Sequence, residues 1–492
     1  MASKTIHVAL NSLDHLPPPV YANAILYLPL KVNVSAKEAF EFLREGLHRT
    51  FVQLPWLSGK VHRISTTGTG ALEMRHHPVN LDGPRPYQLK FNELDSLDTY
   101  EDLRETAFHP STYEDEALTW APFLADLTNG AEVFVAQANF MPGACILTAA
   151  ICHVISDATG LNGIFKIWAD NCHDMQLGNP LHWDQFAEIS DHSLLEQVWT
   201  KEGAGRAAQE FPPETWRLLG LEAPSDSRSL VDEEVKQKTE HASASDSAAL
   251  RGDMKACIFY MSPKNTKALR NECNKSSDTA DVSMNDAICA LAWRCFLRSR
   301  AAASSTNGVN GTDTTDADGA QVRLDLPFDV RPYFPHMVPP NYLGNFTMIH
   351  QFLLSRSRLL SRASLGEVAR MFRQAASEIT TYRVMDAYTL VKTVTNALEL
   401  QNLKVDGNGL MITSLLGLEL SEVCFGDGVF GNGGKPEAMR TLMGAINKSF
   451  RYCAILPRKS HGGVELVANL FDDELDVLLE DEEFGHYAVF VA

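Results

Sequence analysis

Ile151-Cys152-His153-Val154-Ile155-Ser156-Asp157-Ala158-Thr159-Gly160 is an apolar run that stops at a histidine and turns a corner. Upstream, Cys145 to Ile151 is short, largely apolar and without helical spacing, which predicts a buried strand. Downstream, Leu161, Ile164, Phe165 and Trp168 recur at i, i+3, i+4 and i+7, the apolar stripe of a helix. His153 and Asp157 are therefore expected where a buried strand hands over to a helix.

That placement suits general-base chemistry. An imidazole with an unperturbed pKa of about 6.5 is mostly neutral at pH 7 and can take a proton from an alcohol attacking an acyl group. Asp157 has two readings: it orients the imidazole as in a triad, or it points away and pins the loop through a basic partner. The spacing does not choose between them. With 16 His in the chain, about one His-x-x-x-Asp is expected by chance, so the motif alone equally fits a satisfied core histidine.

At 492 residues the chain exceeds one ordinary core, and two domains of about 200 to 250 residues are expected. A composition 45% hydrophobic and 21% charged is that of a globular protein. No apolar run reaches the ~18 residues of a membrane span, and Met1-Ala-Ser-Lys-Thr-Ile-His-Val lacks the pattern of a secretory signal. Nine cysteines without a Cys-x-x-Cys pair argue against a disulfide framework and fit a reducing cytosol. Cys172-His173 has no further ligands nearby, so no metal is expected. With 43 Lys+Arg against 62 Asp+Glu the net charge is −19, which argues against nucleic acid as the main partner. An anionic substrate would need a local gathering of cations.

Along the chain, Val20 to Pro29 reads as a strand, and Ser35-Ala-Lys-Glu38 is a capping box opening an amphipathic helix. Lys60-Val-His62 starts another strand. Ala131 to Ala138 and the run ending at His153 read as neighbouring strands joined through Pro142-Gly143. Between about 222 and 252 the composition shifts to Ser, Ala, Asp, Glu and Lys. This predicts a first domain over 1–222, a crossover linker over 223–252 and a second domain over 253–492. In the second half, Lys255 to Tyr260 is strand-like, Asn265 to Cys273 helical, and Ser283 is the expected N-cap of a helix through Leu297. Residues 301–320 are low in complexity and expected to be a disordered loop. Arg323 to Arg331 reads as a strand, Leu365 to Val384 as one long helix, and Asp472 to Leu479 as a helix with an acidic solvated face.

Gly426-Asp-Gly428-Val-Phe-Gly431 has the literal form of a dinucleotide fingerprint, but that site needs a helix to open there. Asn432-Gly-Gly434-Lys-Pro436 follows instead, so a loop is expected.

In order along the chain, these pieces resemble the BAHD superfamily of CoA-dependent acyltransferases, particularly the fungal branch that includes trichothecene 3-O-acetyltransferases. His153 and Asp157 match the family's His-x-x-x-Asp, with Ala158 at its usual Gly; Leu10, Leu13, Asp14, Pro18 and Tyr21 match its N-terminal motif. Pro55 to Lys60 looks like its Pro-x-Leu-Ala-Gly-Arg turn, and Val282-Ser-Met-Asn285-Asp286-Ala287 is similar to its Val-Ser-Thr-Asn-Asp-Ala helix start. Asp329-Val-Arg331 and Tyr342-Leu-Gly344-Asn345 look like its Asp-x-Arg and Tyr-x-Gly-Asn segments. The late Asp-Phe-Gly-x-Gly signature departs from the pattern: Cys424 stands for the Asp, and the loop before Lys435-Pro436 is longer.

The resemblance implies an α/β (α+β) architecture of two chloramphenicol-acetyltransferase-like domains, mixed sheets flanked by helices, with a solvent channel between them. It implies an O-acyltransferase with His153 as general base and Asp157 structural, paired with Arg331. Thr413 or Ser414 would donate to the oxyanion, the plain alternative being a strand-end hydroxyl bonded to backbone. Lys435, Arg440, Lys448 and Arg451 lie close in sequence and are the cations expected to border the CoA phosphates, with Ser262 a further contact. The expected partners are acetyl-CoA or another acyl-CoA and a small-molecule alcohol from fungal secondary metabolism, acted on by a cytoplasmic monomer away from membranes. Two alternatives are a condensation-type enzyme using a carrier-bound acyl group, against which Cys152 replaces the first histidine of the usual His-His, and a non-catalytic interaction protein keeping the fold.

Overall fold

The computed structural model describes residues 4–64, 71–95, 98–183, 186–202, 210–221, 223, 252–275, 281–306, 320–394 and 409–492. Among them, sixteen strands form three sheets. A four-stranded sheet runs β1 (Ile6–Ala9), β4 (Leu72–His76), β3 (Lys60–Arg63), β6 (Ala131–Glu132). A five-stranded sheet runs β13 (Ala438–Arg440), β2 (Tyr21–Pro29), β8 (Ala144–Cys152), β7 (Phe134–Met141), β5 (Leu89–Glu93). The third has seven strands: β11 (Thr347–Ser355), β10 (Gln321–Asp329), β12 (Gly409–Ser414), β14 (Tyr452–Ile455), β15 (Val464–Leu470), β9 (Lys255–Met261), β16 (Val489–Phe490). No helix among the described residues is long and apolar enough to cross a membrane.

The strand ending at His153 is buried along its whole length because both faces and both edges are covered. It pairs antiparallel with β2 on one side and with β7 on the other, the latter through the Pro142-Gly143 turn, where Gly143 takes φ 79°. The outer edge of β2 is closed by β13, a strand from the far end of the sequence, with Arg440 opposite Ile25. The second half thus completes the sheet that carries the histidine.

The seven-stranded sheet serves two cores, as period-2 alternation allows. Cys257, Phe259, Cys453, Ile455, Leu466 and Ile412 pack beneath the helices Met284–Thr306 and Leu365–Ser377. The alternate residues Ala256, Ile258, Ala454 and Val467 turn the other way, into the core built on β2, β8 and the helices Ala36–Gln53 and Ala158–Leu177. Leu195, Val198 and Phe211 to Leu219 also pack with second-half residues, Trp216 and Leu218 sharing a core with Val330, Phe346 and Tyr388.

Two expectations are corrected. The segment 365–384 is two helices, Leu365–Ser377 and Thr381–Val394. Thr380 breaks it: its hydroxyl accepts from Arg383 N at 3.2 Å, a local bond that competes with helix continuation and restarts the helix. Residues 301–306 finish the helix that begins at Met284 rather than opening a loop, and 307–319 lie outside the described residues. So does nearly all of the 223–252 linker.

The helices Ala36–Gln53 and Ala158–Leu177 approach closely, with Trp168 Nε1 donating to Leu43 O at 2.9 Å. A Cβ at Gly46 would lie 2.2 Å from Cys172 Sγ. Gly46→Ala is expected to destabilise the protein by about 1–3 kcal/mol through overpacking, and Cys172→Ala, which removes the clashing sulfur, to restore a large part of that loss in the double variant. Urea unfolding of the wild type, both singles and the double checks this.

Candidate active site

Asp157 is the N-cap of the helix Ala158–Leu177, its Oδ1 accepting from Gly160 N at 3.0 Å. The same carboxylate is gripped end-on by Arg331, with Nη1 to Oδ2 at 3.0 Å and Nη2 to Oδ1 at 3.1 Å. Oδ2 further accepts from Phe346 N at 2.8 Å and Thr347 Oγ1 at 2.9 Å. Every oxygen lone pair is taken, and no bond runs to His153. Burial alone would raise this carboxyl, but the Arg331 charge and the bonds from Arg331, Phe346 and Gly160 outweigh it and hold it below the usual range.

Arg331 is equally saturated. Nε donates to Tyr342 O at 3.0 Å, Nη1 also to Asp329 Oδ1 at 2.8 Å, and Nη2 also to Gly344 O at 2.6 Å. With the two bonds to Asp157, all five guanidinium N–H groups are used. Nothing remains of either group for chemistry. Beside the pair, Ser156 Oγ donates to Leu343 O at 2.6 Å. A Cβ at Gly160 would sit 2.3 Å from that carbonyl, so only glycine lets the helix come this close to the second half.

His153 follows β8 at the point where the chain leaves the sheet, with its N–H donating to Val20 O at 2.8 Å. The residue is half-buried, while its Nδ1 is buried with no hydrogen-bond partner among the described residues. Burial lowers its pKa below 6.5, opposed in part by the negative Asp157. The imidazole is therefore neutral at pH 7. The adjacent Cys152 is fully buried and its thiol pushed up to about 12 by burial, so it supplies no thiolate.

The other expected residues fall into two groups. Thr413 lies opposite Ala454 in the ladder and so faces the core shared by the two halves, hydrogen-bonded to Tyr452; Ser414 lies opposite Ile455, on the helix-covered face. Lys435 is exposed and paired with Glu422 at 2.7 Å, and Lys448 is exposed beside Asp253 at 3.8 Å. Ser262 spends its hydroxyl capping the helix Pro263–Asn274, accepting from Asn265 N at 3.1 Å.

Arg440 corrects the expectation of a phosphate ligand. It is 1% exposed, bonded to Phe108 O, Met439 O and Ala107 O and paired with Glu465 at 2.9 Å. Its guanidinium fixes Ala107 and Phe108, both at positive φ, and has no open side. Arg451 is likewise buried, against Glu474. At Cys424, the thiol donates to Gly433 O at 3.2 Å, and the loop closes through Phe425 N to Gly434 O at 2.8 Å. That loop docks on the helix from Asp157 through Gln176, which bonds Asp427 and Gly428 N. Gly431 leads into a short 3-10 turn, not a helix that could cradle a pyrophosphate.

Asn345 and Asp14 belong to the sequence motifs, yet the sequence alone gives neither of them work. Both are buried, and Asn345 Nδ2 donates to His153 O at 3.0 Å and to Asp14 Oδ1 at 3.1 Å. Their only sequence signal is a polar residue inside an otherwise apolar motif.

A profile described as the Transferase family matches residues 2–485. The chain is 29% identical, over 98% of its length, to an isocyanide synthase-NRPS hybrid of Aspergillus fumigatus, of which it spans 31%. It is 24% identical to an eremophilane O-acetyltransferase of Penicillium roqueforti, covering 98% of both chains. The crystal structure of the trichothecene 3-O-acetyltransferase TRI101 of Fusarium sporotrichioides, complexed with coenzyme A and T-2, superposes with a TM-score of 0.76 at 21% identity, over 99% of this chain and 100% of that one. The two-domain acyltransferase fold is shared.

Asp157→Asn removes one half of a buried pair and is expected to cost about 3 kcal/mol in urea unfolding, with part recovered by adding Arg331→Met. Because the folded carboxyl is depressed, the pair's contribution is present above pH 3.8 and is lost only as pH falls through the lowered value. A stability profile between pH 7 and pH 2 reads that limb directly.

Proposed function

Given that the chain belongs to the Transferase family, the BAHD-type acyltransferases, we propose that it transfers an acyl group, acetyl foremost, from a coenzyme A thioester to a hydroxyl of a fungal secondary metabolite such as a terpenoid, polyketide or alkaloid. The observation that carries the reading is His153: a neutral, half-buried imidazole between the halves, beside an aspartate fully spent on Arg331. Relatives named as O-acetyltransferases, and one crystallised with coenzyme A, supply the substrate class. We divide the protein at 1–222 and 253–492 and place the two substrates on opposite sides of the junction. It acts as a monomer in the cytoplasm.

His153 takes the proton of the acceptor hydroxyl as its oxygen attacks the thioester carbonyl. The tetrahedral intermediate carries one negative charge on the former carbonyl oxygen, and the Thr413 hydroxyl, on the inward face of β12, donates to it. Collapse breaks the C–S bond, and the departing CoA thiolate receives the proton from the imidazolium. No acyl-enzyme forms, in keeping with the protonated Cys152. Asp157 and Arg331 hold the loop and move no proton. For the CoA phosphates, exposed Lys435 would exchange Glu422 for a phosphate oxygen, while Ser262 stays with its helix cap.

A second reading is favoured by one observation, the match to a third of an isocyanide synthase-NRPS hybrid: the donor is an acyl group on a carrier protein rather than on CoA. Acetyl-CoA and an acetyl-loaded carrier, each offered with a panel of hydroxylated terpenoids, polyketides and alkaloids and read by mass spectrometry, separate the two. Transfer from the carrier alone would select the second reading, and no transfer with no CoA binding would sink the first.

His153→Ala is expected to lower kcat by about a thousandfold with CoA affinity by calorimetry unchanged. Since burial lowers the imidazole pKa, the acid limb of kcat/KM is expected below pH 6.5.

A further inference from the structure

Three residues separate the base from its brace, and the His-x-x-x-Asp motif leaves all three open. Val154 and Ile155 are apolar and buried, so they serve the core. Ser156 is 0% exposed and polar, and a hydroxyl taken out of water needs a partner. Its Oγ donates to Leu343 O at 2.6 Å, across to the second half; the other acceptor in reach, Asp157 O, is 3.5 Å away.

The acceptor is itself held. Leu343 is buried, and its N–H donates to Ile189 O at 2.7 Å, which leaves the peptide little freedom. A Cβ at Gly160 would lie 2.1 Å from Ser156 Oγ and 2.3 Å from Leu343 O, so the bond is also boxed in by the helix start. Asp157 on its own would pin the loop at one point, and a single pin leaves a swing. Ser156 supplies a second pin, on the side of the histidine.

The same residue bears on the ring. Burial lowers the imidazole pKa, and the groups that resist it are the histidine's own main chain, the Asp157 charge and then the main chain of Ser156. The Ser156 peptide thus faces the base while its side chain is tied to the second half.

Resting on the assignment of His153 as base, we propose that Ser156 is its positioning residue: the hydroxyl bond to Leu343 O holds the Ser156 peptide at the imidazole and registers the base with the second half, which carries Thr413. Ser156 touches no reacting atom. Its effect comes through placement, because a general base works only within hydrogen-bond reach of the proton it takes.

Ser156→Ala deletes one oxygen atom. It is expected to lower kcat about tenfold with KM for acetyl-CoA unchanged, and to add no further loss in a His153→Ala background. Loosening the Ser156 peptide removes a group that favours the imidazolium, so His153 is expected to titrate at lower pH and the acid limb of kcat/KM to follow it. The ring is read directly on protein labelled with 15N-histidine, its signals identified by their loss in His153→Ala. An unchanged kcat, or an unchanged His153 titration beside a lower kcat, overturns the proposal, since the hydroxyl would then serve folding alone. A further loss in the His153→Ala background overturns it as well. If circular dichroism shows Ser156→Ala unfolded, Ser156→Cys, a weaker donor, decides: its titration is expected to shift the same way, and no shift overturns the proposal. The titration needs no substrate, so a protein that transfers nothing yet shows the shift would refute the acyltransferase reading and leave this one standing.

Discussion

The structure depends on the ion pair between Asp157 and Arg331. Both side chains are buried, and taking two charges out of water costs several kcal/mol each unless every polar atom finds a partner. Here they all do: five N–H donors on the guanidinium are used, and the carboxylate receives Gly160, Phe346 and Thr347 besides. The cost of that saturation is convergence. A helix start, the segment after β10 and the first residue of β11 must meet at one point, so the loop after His153 has one position available to it.

Saturation also explains the division of labour around the histidine. An aspartate that balances an arginine cannot also act as hydrogen-bond acceptor for the imidazole, and its charge reaches His153 only through space. Burial therefore dominates the ring's titration and keeps it neutral, the state a base requires. Small residues guard the same point. Gly160 leaves room for Leu343 O, and the Ser156 hydroxyl ties that carbonyl to the loop, so packing and hydrogen bonding agree on one geometry.

Much of this was legible from the sequence where one local signal sufficed. The apolar run into His153 announced β8, the Ser35 capping box announced its helix, and Ser283 its own, because each is settled within a few residues. The helix break at Thr380 was not legible, since apolar spacing continues through it while a single side-chain bond restarts the chain. The pairing of β13 with β2 was not legible either: it joins residues about four hundred positions apart, and three residues carry no pattern. Between Asp157's two roles, spacing was silent; the choice lay with Arg331, and motif resemblance rather than periodicity pointed there. Asn345 stayed unread because a buried asparagine looks like any loop asparagine until its partners are known.

The same limit governs the cations. Arg440 and Arg451 sit in the stretch that sequence proximity suggested for an anion, yet both are spent inside the fold, on Glu465 and Glu474. Arginine's five-donor fork suits such sites, because it can satisfy carbonyls and a carboxylate at once. Lysine, with a compact and strongly hydrated charge, is left at the surface, as Lys435 and Lys448 are. A protein with a net charge of −19 that recruits a polyanion does so against an unfavourable long-range field. Added salt screens charges separated by more than a Debye length of about 8–10 Å, so it weakens that long-range repulsion more than short-range contacts.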